Sequence, residues 1–394
     1  MAAVFEKTLV MILSGGKGER LYPLTRDRAK PSVPFLGSFR IIDFSLSNCL
    51  NSGLRKVALL TQYKSLSLER HLQFGWGIFH PESRGYVISL PAQGRVGDRW
   101  YEGTADAVFQ NVYSIQQENP EVVLILSGDH IYLTDYRPLL RFFLDQEADA
   151  VVLAKPVPRV EGRRFGIMKI DDGQRITEFL EKPKSPPPLP DDETMSLASM
   201  GIYLFRTRTL IRALMQDAKS AKSGHDFGKD IIPRLIQECR VFAYPYQGYW
   251  EDIGTIDAYW KSNMAFLSSQ PPFDLHDPGW PIRTYQRQSP PAFIDQTTVQ
   301  ASIISTGCRL RRADVRHSVL SPGVIIEDGS LVRDSILFDD ARIGRGARLT
   351  KVIVDKNAIV PDSFVIGEDA EADARYFRSY GDGIRIVPKG WRLG

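Results

Sequence analysis

Residues 13–37 read LSGGKGERLYPLTRDRAKPSVPFLG, a glycine-rich turn that ends an apolar run and leads into a basic segment. The three glycines free the backbone to adopt positive φ, so that successive N–H groups can face the oxygens of an anion. A Walker loop would place Lys and then Ser or Thr after its second glycine, whereas this loop continues with Glu19 and Arg20. The stretch therefore predicts a strand that ends in a polyphosphate site of another type, with Arg20 and Lys30 as its cations.

Short apolar runs alternate with amphipathic stretches from Thr8 to about Phe205, which is the rhythm of βαβ units in a mainly parallel sheet. The runs include TLVMIL, KVALLTQY, VVLILSGD and ADAVVLAKPV. Two of the runs end in polar strings, SGG and SGDH. Because ligands of open α/β sheets bind beyond the carboxyl ends of the strands, we expect the nucleotide site to bridge these two strings.

The C-terminal part of the chain has a different period. Apolar residues fall six apart at Val319, Ile325, Leu331, Leu337, Ile343 and Leu349, and the period resumes after a slip at Ile353, Ile359 and Val365. This hexapeptide repeat predicts a parallel β-helix in which these side chains fill the axis and small residues just before them permit tight corners. We therefore divide the chain into a catalytic domain at 1–267, a proline-rich connection at 268–295 and a β-helix at 296–394.

Two aspartates are candidate metal ligands. Asp129 follows the apolar strand VVLILSG, where a carboxylate is costly unless it meets a cation. Mg²⁺ typically takes one or two carboxylates together with substrate phosphates, and Asp252 in YWEDIGT is the candidate second acid. His130 comes directly after Asp129, but a histidine beside a strand end is more often a packing residue than a base. We assign it no catalytic role.

Two further segments carry polar groups that suit a phosphorylated substrate. Lys182 in FLEKP is pinned by Pro183 at a strand end and can act as a point charge for a phosphate. The string YEGTADA at 101–107 offers Gly103 for close backbone approach and Thr104 for hydrogen bonding. No Ser, Cys or His nucleophile stands with a base and an orienting partner, so the sequence favours positioning and charge stabilisation over covalent catalysis.

Composition narrows the classes of function. The 394 residues are 43% hydrophobic and 25% charged with a formal net charge of +3, an excess too small to indicate nucleic-acid binding. No apolar stretch is long enough for a membrane span or a signal core, and Cys49, Cys239 and Cys308 lack metal-site spacing. We expect a cytoplasmic globular protein that acts on small anionic molecules.

The string from Gly15 to Gly37 resembles the signature GGxGxRLxPLTxxxxKPxxPxxG of the sugar-1-phosphate nucleotidyltransferases. Further strings narrow the resemblance to the bacterial glucose-1-phosphate adenylyltransferases, or ADP-glucose pyrophosphorylases: RIIDFSLSN, WYEGTADAV, GDHIY, FGIM, EKP, LASMGIY, HDFGKDIIP, YWEDIGT and WPIRTY. The resemblance implies a Rossmann-like nucleotidyltransferase domain, a C-terminal left-handed β-helix and a homotetramer. It also implies Mg²⁺-dependent transfer of the adenylyl group of ATP to glucose 1-phosphate, the committed step of bacterial glycogen synthesis, under control by small anionic effectors.

The same resemblance carries over individual site residues. It implies that ATP is bound by Ser14, Gly15, Gly16, Arg20, Lys30, Gln62, Gly103, Thr104 and Asp129. It implies that glucose 1-phosphate is bound by Tyr101, Gly166, Glu181, Lys182, Ser199, Tyr203, Asp226, Phe227, Trp250 and Asp252. The implied catalytic residues are Arg20, Lys30 and Asp129, and the implied metal ligands are Asp129 and Asp252. Ser14 departs from the alanine of many relatives, and Asp27 stands where some relatives carry a basic residue associated with anionic activators.

Other functions fit parts of the sequence. A nucleotidyltransferase for another base or sugar phosphate would use the same chemistry, although HDFGKD, SMGIYLF and WPIRTY favour ADP-glucose. A non-catalytic regulatory subunit fits less well because Arg20, Lys30, Asp129, Lys182 and Asp252 are all present. An acyltransferase would need a base in the repeat region, where only His317 is a candidate. The effector stays open, since Arg40, Arg309, Arg311, Arg312 and Arg378 suit either anion binding or a solvated surface.

Overall fold

The computed structural model describes residues 2–92 and 100–393. Strands of its first part are β1 Thr8–Ser14, β2 Pro34–Phe35, β3 Phe39–Arg40, β4 Lys56–Thr61, β5 Tyr86–Pro91, β6 Val122–Ser127, β7 His130–Tyr132, β8 Ala150–Pro158, β9 Gly166–Ile170, β10 Ile176–Glu181, β11 Met195–Arg206, β12 Val241–Pro245 and β13 Trp250–Asp252. Helices are α1 Ala2–Glu6, α2 Ile41–Asn51, α3 Leu66–Gly75, α4 Thr104–Phe109, α5 Val112–Glu118, α6 Tyr136–Asp145, α7 Thr207–Asp217, α8 Ile232–Glu238, α9 Ile256–Ala265 and, near the C-terminus, α10 Ala370–Asp373.

The central sheet runs in the order β10-β9-β11-β6-β1-β4-β5, and β8 pairs with both β11 and β12. Strand β1 lies parallel to β4 and β6, whereas the long β11 is antiparallel to β6, β8 and β9. The prediction of a mainly parallel mixed sheet is confirmed. Because Leu13 pairs with Ser127, the carboxyl ends of β1 and β6 lie side by side, and the strings SGG and SGDH meet as expected.

Apolar side chains cover both faces of this sheet. One buried cluster joins alternate residues of β1 and β6, such as Ile12 and Leu124, to α2 and α6. A second cluster joins the residues between them, such as Met11 and Ile125, to α7 and α8. Strand residues alternate between the two faces with a period of two, so helices on both sides bury a nearly continuous apolar strand.

The last part of the chain is a three-sided parallel β-helix. Its strands are β14 Phe293–Asp295, β15 Thr298–Gln300, β16 Ile303–Ile304, β17 Arg309–Arg311, β18 Asp314–Arg316, β19 Val319–Leu320, β20 Ile325–Ile326, β21 Leu331–Arg333, β22 Ile336–Leu337, β23 Arg342–Ile343, β24 Arg348–Thr350, β25 Val352–Val354, β26 Ile359–Val360, β27 Val365–Ile366, β28 Ser379–Tyr380 and β29 Ile384–Val387. From β14 to β27 every third strand stacks in the same sheet, and β29 then pairs parallel with β25 and antiparallel with β28. Strand β14 already pairs with β17, so the β-helix includes Phe293–Asp295 from the end of the expected connection.

The coil length differs from three equal sides of six residues. Leu320 pairs with Leu337 and Leu337 with Val354, which is a step of 17 residues for each of these coils. The buried axis residues around one such coil are Leu320, Ile326, Val332 and Leu337, so two sides have six residues and the third has five. The shorter side explains the slip that interrupts the period in the sequence.

The predicted set of axis residues is therefore wrong at several positions. Ile325, Leu331 and Ile359 are only half-buried, and Val365 is 40% exposed, whereas the next residues, Ile326, Val332, Val360 and Ile366, fill the axis. Val319 and Ile353 are buried, but in a cluster shared with the catalytic domain. A strict count of six drifts by one residue on each 17-residue coil because each such coil has one five-residue side.

Corners of the β-helix use left-handed backbone. Gly323 and Gly329 have φ of 77° and 75°, and they precede β20 and β21. At the next corners Asp334 and Asp340 adopt positive φ, and the small residues Ser335 and Ala341 follow them. Glycine adopts this conformation freely, and Asp tolerates it better than most residues.

The two domains share a buried contact. Tyr259 of α9 packs edge-on against Phe338 of the β-helix, with ring centroids 6.3 Å apart. The guanidinium of Arg28 donates to Asp355 Oδ1 at 2.8 Å, and both side chains are almost fully buried. Because Arg28 lies two residues before Lys30, the β-helix directly supports the segment that carries Lys30.

Candidate active site

The glycine-rich turn after β1 forms one wall of a cavity of ≈ 570 Å³ at the carboxyl edge of the sheet. Gly18 has φ of 64°, which lets the chain turn from β1 into the short 3₁₀ helix Glu19–Leu21. The Thr25 hydroxyl donates to Gly18 O at 2.9 Å and holds the turn. Residues that line this cavity are Leu13, Ser14, Gly16, Lys17, Gly18, Glu19, Arg20, Leu21, Lys30, Pro31, Asp129 and Gly254.

Lys30 joins the two predicted metal ligands. Its Nζ contacts Asp129 Oδ2 and lies 3.3 Å from Asp252 Oδ1, with the lysine side chain only 11% exposed. Burial opposes the charge on Lys30, but the two carboxylates outweigh burial and raise the pKa of the lysine. Burial likewise opposes ionisation of Asp129, but Lys30, His130 and the Ser127 hydroxyl lower the pKa of that carboxyl. Lys30 and Asp129 are therefore both charged at neutral pH.

Strand pairing brings these acids together across a sequence gap of more than a hundred residues. Asp129 lies in the turn between β6 and β7, and β13 pairs with β7 so that Asp252 faces His130. Ligand atoms of Asp129, His130 and Asp252 all lie within 4.8 Å of one another. Two carboxylates so close together suit a hard divalent cation, since oxygen ligands are what Mg²⁺ prefers. The residues present therefore fit a metal.

A second cavity of ≈ 350 Å³ adjoins the first, and Leu13 and Arg20 line both. Its other lining residues are Thr104, Ser127, His130, Arg164, Phe165, Gly166, Glu181, Lys182, Ser199, Met200, Gly201, Tyr203, Asp226, Gly228, Trp250 and Asp252. Most of the residues expected to bind the sugar phosphate are thus brought together. Lys182 has a left-handed φ of 48°, and its Nζ lies 2.8 Å from Glu181 Oε1. One wall of this cavity is aromatic, because the Tyr203 ring stacks on the buried Phe227 ring with centroids 5.4 Å apart.

Asp226 is held by its neighbours through both carboxylate oxygens. Its Oδ1 accepts from the backbone N–H groups of Gly228 and Lys229, at 2.9 and 3.1 Å. Its Oδ2 accepts from the Thr104 hydroxyl at 3.0 Å. Thr104, expected on the ATP side, therefore lies with the residues of the second cavity.

Some of the predicted site residues line neither cavity. Tyr101 N donates to Gln62 Oε1 at 2.6 Å, and a side chain at Gly15 would lie against Gln62 and Tyr101. These three residues form one packed group beside the phosphate turn. Gly103 packs against the backbone of the loop at 224–225, and Phe227 is 1% exposed beneath Tyr203. Their roles in binding stay predictions.

Several residues that line the second cavity were not predicted from the sequence as site residues. His130 is buried, lies in the second cavity and packs edge-on against Trp250 at 5.5 Å. Arg164 and Phe165 come just before Gly166, and the Arg164 guanidinium lies 5.5 Å from the Phe165 ring. The string RRFG contained a usable signal, because Arg164 lies two residues before Gly166, which was expected to bind the sugar phosphate, and an arginine there is as plausible a phosphate ligand as Lys182.

The arginines that suit either anion binding or a solvated surface are placed differently from one another. Arg40 is half-buried and donates to Ser67 O at 2.8 Å. Arg312 pairs with Asp328, and the remaining members of the set, Arg309, Arg311 and Arg378, are exposed.

Within residues 2–92 and 100–393, no helix is both long enough and apolar enough to cross a lipid bilayer.

Comparisons with known proteins agree with this geometry. The family described as "Nucleotidyl transferase" matches residues 9–269, and the family described as "GlmU-like, C-terminal hexapeptide" matches residues 290–387. A glucose-1-phosphate adenylyltransferase of Methylococcus capsulatus is 46% identical over 394 aligned residues, which cover 97% of this chain and 93% of the relative. This chain belongs to the glucose-1-phosphate adenylyltransferase family.

Other members of the adenylyltransferase family are equally similar. Glucose-1-phosphate adenylyltransferase 2 of Vibrio cholerae is 45% identical over 98% of this chain and 99% of its own length. The glucose-1-phosphate adenylyltransferase of Thiobacillus denitrificans is 46% identical over 97% of this chain and 90% of its own length. The sequence-based family assignment is confirmed, and so is the fold class, a nucleotidyltransferase domain followed by a left-handed parallel β-helix.

Proposed function

We propose that this chain transfers the adenylyl group of ATP to α-D-glucose 1-phosphate, giving ADP-glucose and pyrophosphate. The observation that carries the proposal is the pair of adjoining cavities with Arg20 between them. One cavity holds the glycine-rich turn and Lys30, which suits a polyphosphate, and the other holds Glu181, Lys182 and aromatic walls, which suits a phosphorylated sugar. The names of the family relatives point to the same pair of substrates.

In the proposed reaction, a phosphate oxygen of glucose 1-phosphate attacks the α-phosphorus of ATP in line, and pyrophosphate leaves. Lys182 would hold the sugar phosphate, and the carboxylate of Glu181 would accept hydrogen bonds from sugar hydroxyls. Arg20 lines both cavities and would neutralise charge that develops between attacking and leaving oxygens. No covalent intermediate is needed, so positioning and charge stabilisation supply the rate enhancement.

We assign Mg²⁺ as the cofactor and Asp129 and Asp252 as its protein ligands, as the oxygen donor set favours. When bound, the cation would supply Lewis-acid polarisation of phosphate oxygens. Lys30 now balances these two acids and would be available to the β- and γ-phosphates once a cation neutralises them. The residues carried over by resemblance, including Gln62, Tyr101 and Gly103, remain part of this proposal.

The biological setting is also a proposal. We assign the reaction to the committed step of bacterial glycogen synthesis, in the cytoplasm, by a homotetramer that small anionic effectors regulate. The working division is a catalytic domain at 1–267, a connection at 268–295 and a β-helix at 296–394, except that Phe293–Asp295 of the connection already pairs within the β-helix. The buried pair of Arg28 and Asp355 supports regulation through the β-helix, because it links that domain to the segment carrying Lys30.

A steady-state assay of pyrophosphate release tests the proposal. The purified protein is given ATP, dTTP, UTP or GTP in turn with glucose 1-phosphate, and then ATP with other sugar 1-phosphates, all with Mg²⁺. We expect the highest kcat/KM for ATP with glucose 1-phosphate. A higher value with another nucleotide or sugar would assign a different nucleotidyltransferase activity. Absence of turnover with every pair, together with activation of a second subunit, would indicate a regulatory role.

A further inference from the structure

His225 has an unfavourable backbone conformation at the edge of the proposed sugar site. Its φ is 53°, in the left-handed region that only a few per cent of residues other than glycine adopt, although Asn, Asp and His do so more often than most. It precedes Asp226 directly, and its side chain is only 14% exposed. Strained residues persist where surrounding contacts enforce them, and such contacts often serve a functional site.

Three polar neighbours hold His225 in place. Its Nδ1 donates to Asp217 Oδ2 at 2.7 Å, and its backbone N–H donates to Ser223 Oγ at 2.9 Å. The Ser223 hydroxyl in turn donates to Asp217 Oδ1 at 2.7 Å. Asp217 is the last residue of α7 and is 3% exposed, so it is a rigid anchor. On the other side of the ring, Nε2 lies 3.9 Å from Glu102 Oε2.

The carbonyl of His225 caps the first turn of α4. It accepts from Ala105 N at 2.8 Å and from Asp106 N at 3.3 Å, two N–H groups that have no partner within a helix. The Cβ atom of any other residue at position 103 would lie 2.2 Å from this carbonyl oxygen. Glycine is therefore required at 103 by the docking of two loops, in addition to any contact with a ligand.

The docked loops share hydrogen bonds that reach the second cavity. The Thr104 hydroxyl donates to Asp226 Oδ2 and accepts from Phe227 N, both at 3.0 Å. Thr104 and Asp226 both line that cavity, whereas His225 and Asp217 do not. His225 thus acts on the site through its own backbone, which fixes where Thr104 meets Asp226.

We propose that His225, anchored by Asp217, is a positioning residue that docks the 101–104 loop onto the 225–228 loop and sets the carboxylate of Asp226 for the sugar phosphate. The proposal rests on the proposed function for the identity of that substrate. It adds a role to HDFGKD that the resemblance did not supply. Because the sugar side receives the aligned groups, the effect of His225 falls mainly on glucose 1-phosphate and less on ATP.

His225→Asn tests the proposal with little change in backbone strain. Asn tolerates positive φ, but its shorter side chain cannot span from Asp217 to Glu102. We expect the KM for glucose 1-phosphate to rise on the order of tenfold or more, with a smaller change in the KM for ATP. A purely structural role would lower the melting temperature and the active fraction while leaving both KM values as in the wild type. That result would overturn the proposal.

A matched control exists in the β-helix. His317 has φ of 47°, and its Nδ1 lies 2.6 Å from Asp334 Oδ1, so the same kind of pair occurs far from the proposed site in the sequence. His317→Asn should leave both KM values unchanged. An equal rise in the KM for glucose 1-phosphate in this control would also overturn the proposal, because the effect would then be general.

A double-mutant cycle with Thr104→Val tests the route of the effect. Valine keeps the shape of Thr104 but removes both hydrogen bonds to the 226–227 segment. If His225 acts through Thr104 and Asp226, the double variant should be scarcely worse than Thr104→Val alone. Fully additive losses would show that His225 acts by another route and would contradict the proposal.

Hydrogen exchange separates this inference from the proposed function. We expect the amides of Ala105 and Asp106 to be protected in the wild type and to exchange at least about tenfold faster in His225→Asn. Unchanged exchange would overturn the docking, whatever the reaction. No turnover by the wild type with ATP and glucose 1-phosphate would instead count against the proposed function alone.

Discussion

The catalytic domain and the β-helix both use left-handed backbone, but for different purposes. In the β-helix it recurs at successive corners, for example at Gly346, Lys351 and Asn357, and each such residue stacks near its counterpart in the next coil. In the catalytic domain it is scattered, and among residues other than glycine at or beside the site it occurs at Lys182 and His225. Left-handed residues that repeat from coil to coil form the corners of the β-helix. A single left-handed residue held by a buried hydrogen-bond partner instead indicates a position where a side chain or carbonyl must point in one direction.

The largest difference in kcat is expected between variants that neutralise an acid in the catalytic domain and variants that neutralise an acid in the β-helix. Asp129→Asn keeps the shape of the carboxyl but removes its charge between Lys30 and Asp252, so kcat should fall by about a hundredfold or more with modest changes in KM. Asp328→Asn in the β-helix, where the acid pairs with Arg312 at the surface, is the matched control and should leave kcat unchanged. Pyrophosphate release measures both. A kcat near normal in Asp129→Asn would remove that residue from catalysis.

A substitution on the axis of the β-helix should have the opposite effect. It should greatly reduce the free energy of unfolding but leave kcat per folded molecule nearly unchanged. Leu337 is fully buried, and Leu337→Ala should cost about 2–5 kcal/mol of unfolding free energy because it leaves a cavity. Val365 lies in the period of six but is 40% exposed, so Val365→Ala should cost less than about 0.5 kcal/mol. Thermal melting compares the two. Equal destabilisation would mean that the hexapeptide count, and not the 17-residue coil, identifies the axis.

Two left-handed lysines allow a smaller and closer comparison. Lys182 and Lys351 have φ of 48° and 59°, and each pairs with an acid, at 2.8 and 2.9 Å. Lys182→Asn should raise the KM for glucose 1-phosphate by about tenfold and leave the KM for ATP nearly unchanged. Lys351→Asn should change neither. A change confined to the KM for ATP in Lys182→Asn would reverse the assignment of the two cavities.

Two glycines give the smallest expected effects. A side chain at Gly16 would meet nothing within 4 Å, and its φ is not positive, so Gly16→Ala should leave stability unchanged. It should nevertheless raise the KM for ATP, because the new methyl group lies at the wall of the phosphate cavity. Gly346→Ala meets only ordinary contacts but has φ of 64°, so it should cost about 1 kcal/mol of stability and leave KM unchanged. Loss of stability in Gly16→Ala would argue that this glycine is structural.

The sequence predicted the sheet and the β-helix because these depend on periodicity, whereas most residues that line the second cavity were implied by the family resemblance. It failed where neighbouring residues are equally apolar. Ile325 and Ile326 both fit an axis position by composition, and only the five-residue side of the coil decides between them. A count along the chain contains no information on which of the two faces inward.

The site was predictable as a set of residues but not as a set of contacts. Lys30 was expected to face phosphates, and its position between Asp129 and Asp252 depends on the pairing of β7 with β13, which no local pattern reveals. Gly103 was expected to make room for a ligand, yet it also makes room for the carbonyl of His225. In both cases the partner comes from a distant segment, and its identity requires the fold.

The coil of 17 residues sets how this chain can change in length. Insertion or deletion of a few residues between Val319 and Val354 would turn every later side chain away from its stack, whereas one whole coil could be gained or lost with all registers kept. Each coil adds about 4.8 Å along the axis. The catalytic domain packs along several coils, from Val319 to Ile353, so a change in the number of coils there would also change the length of the surface that the two domains share.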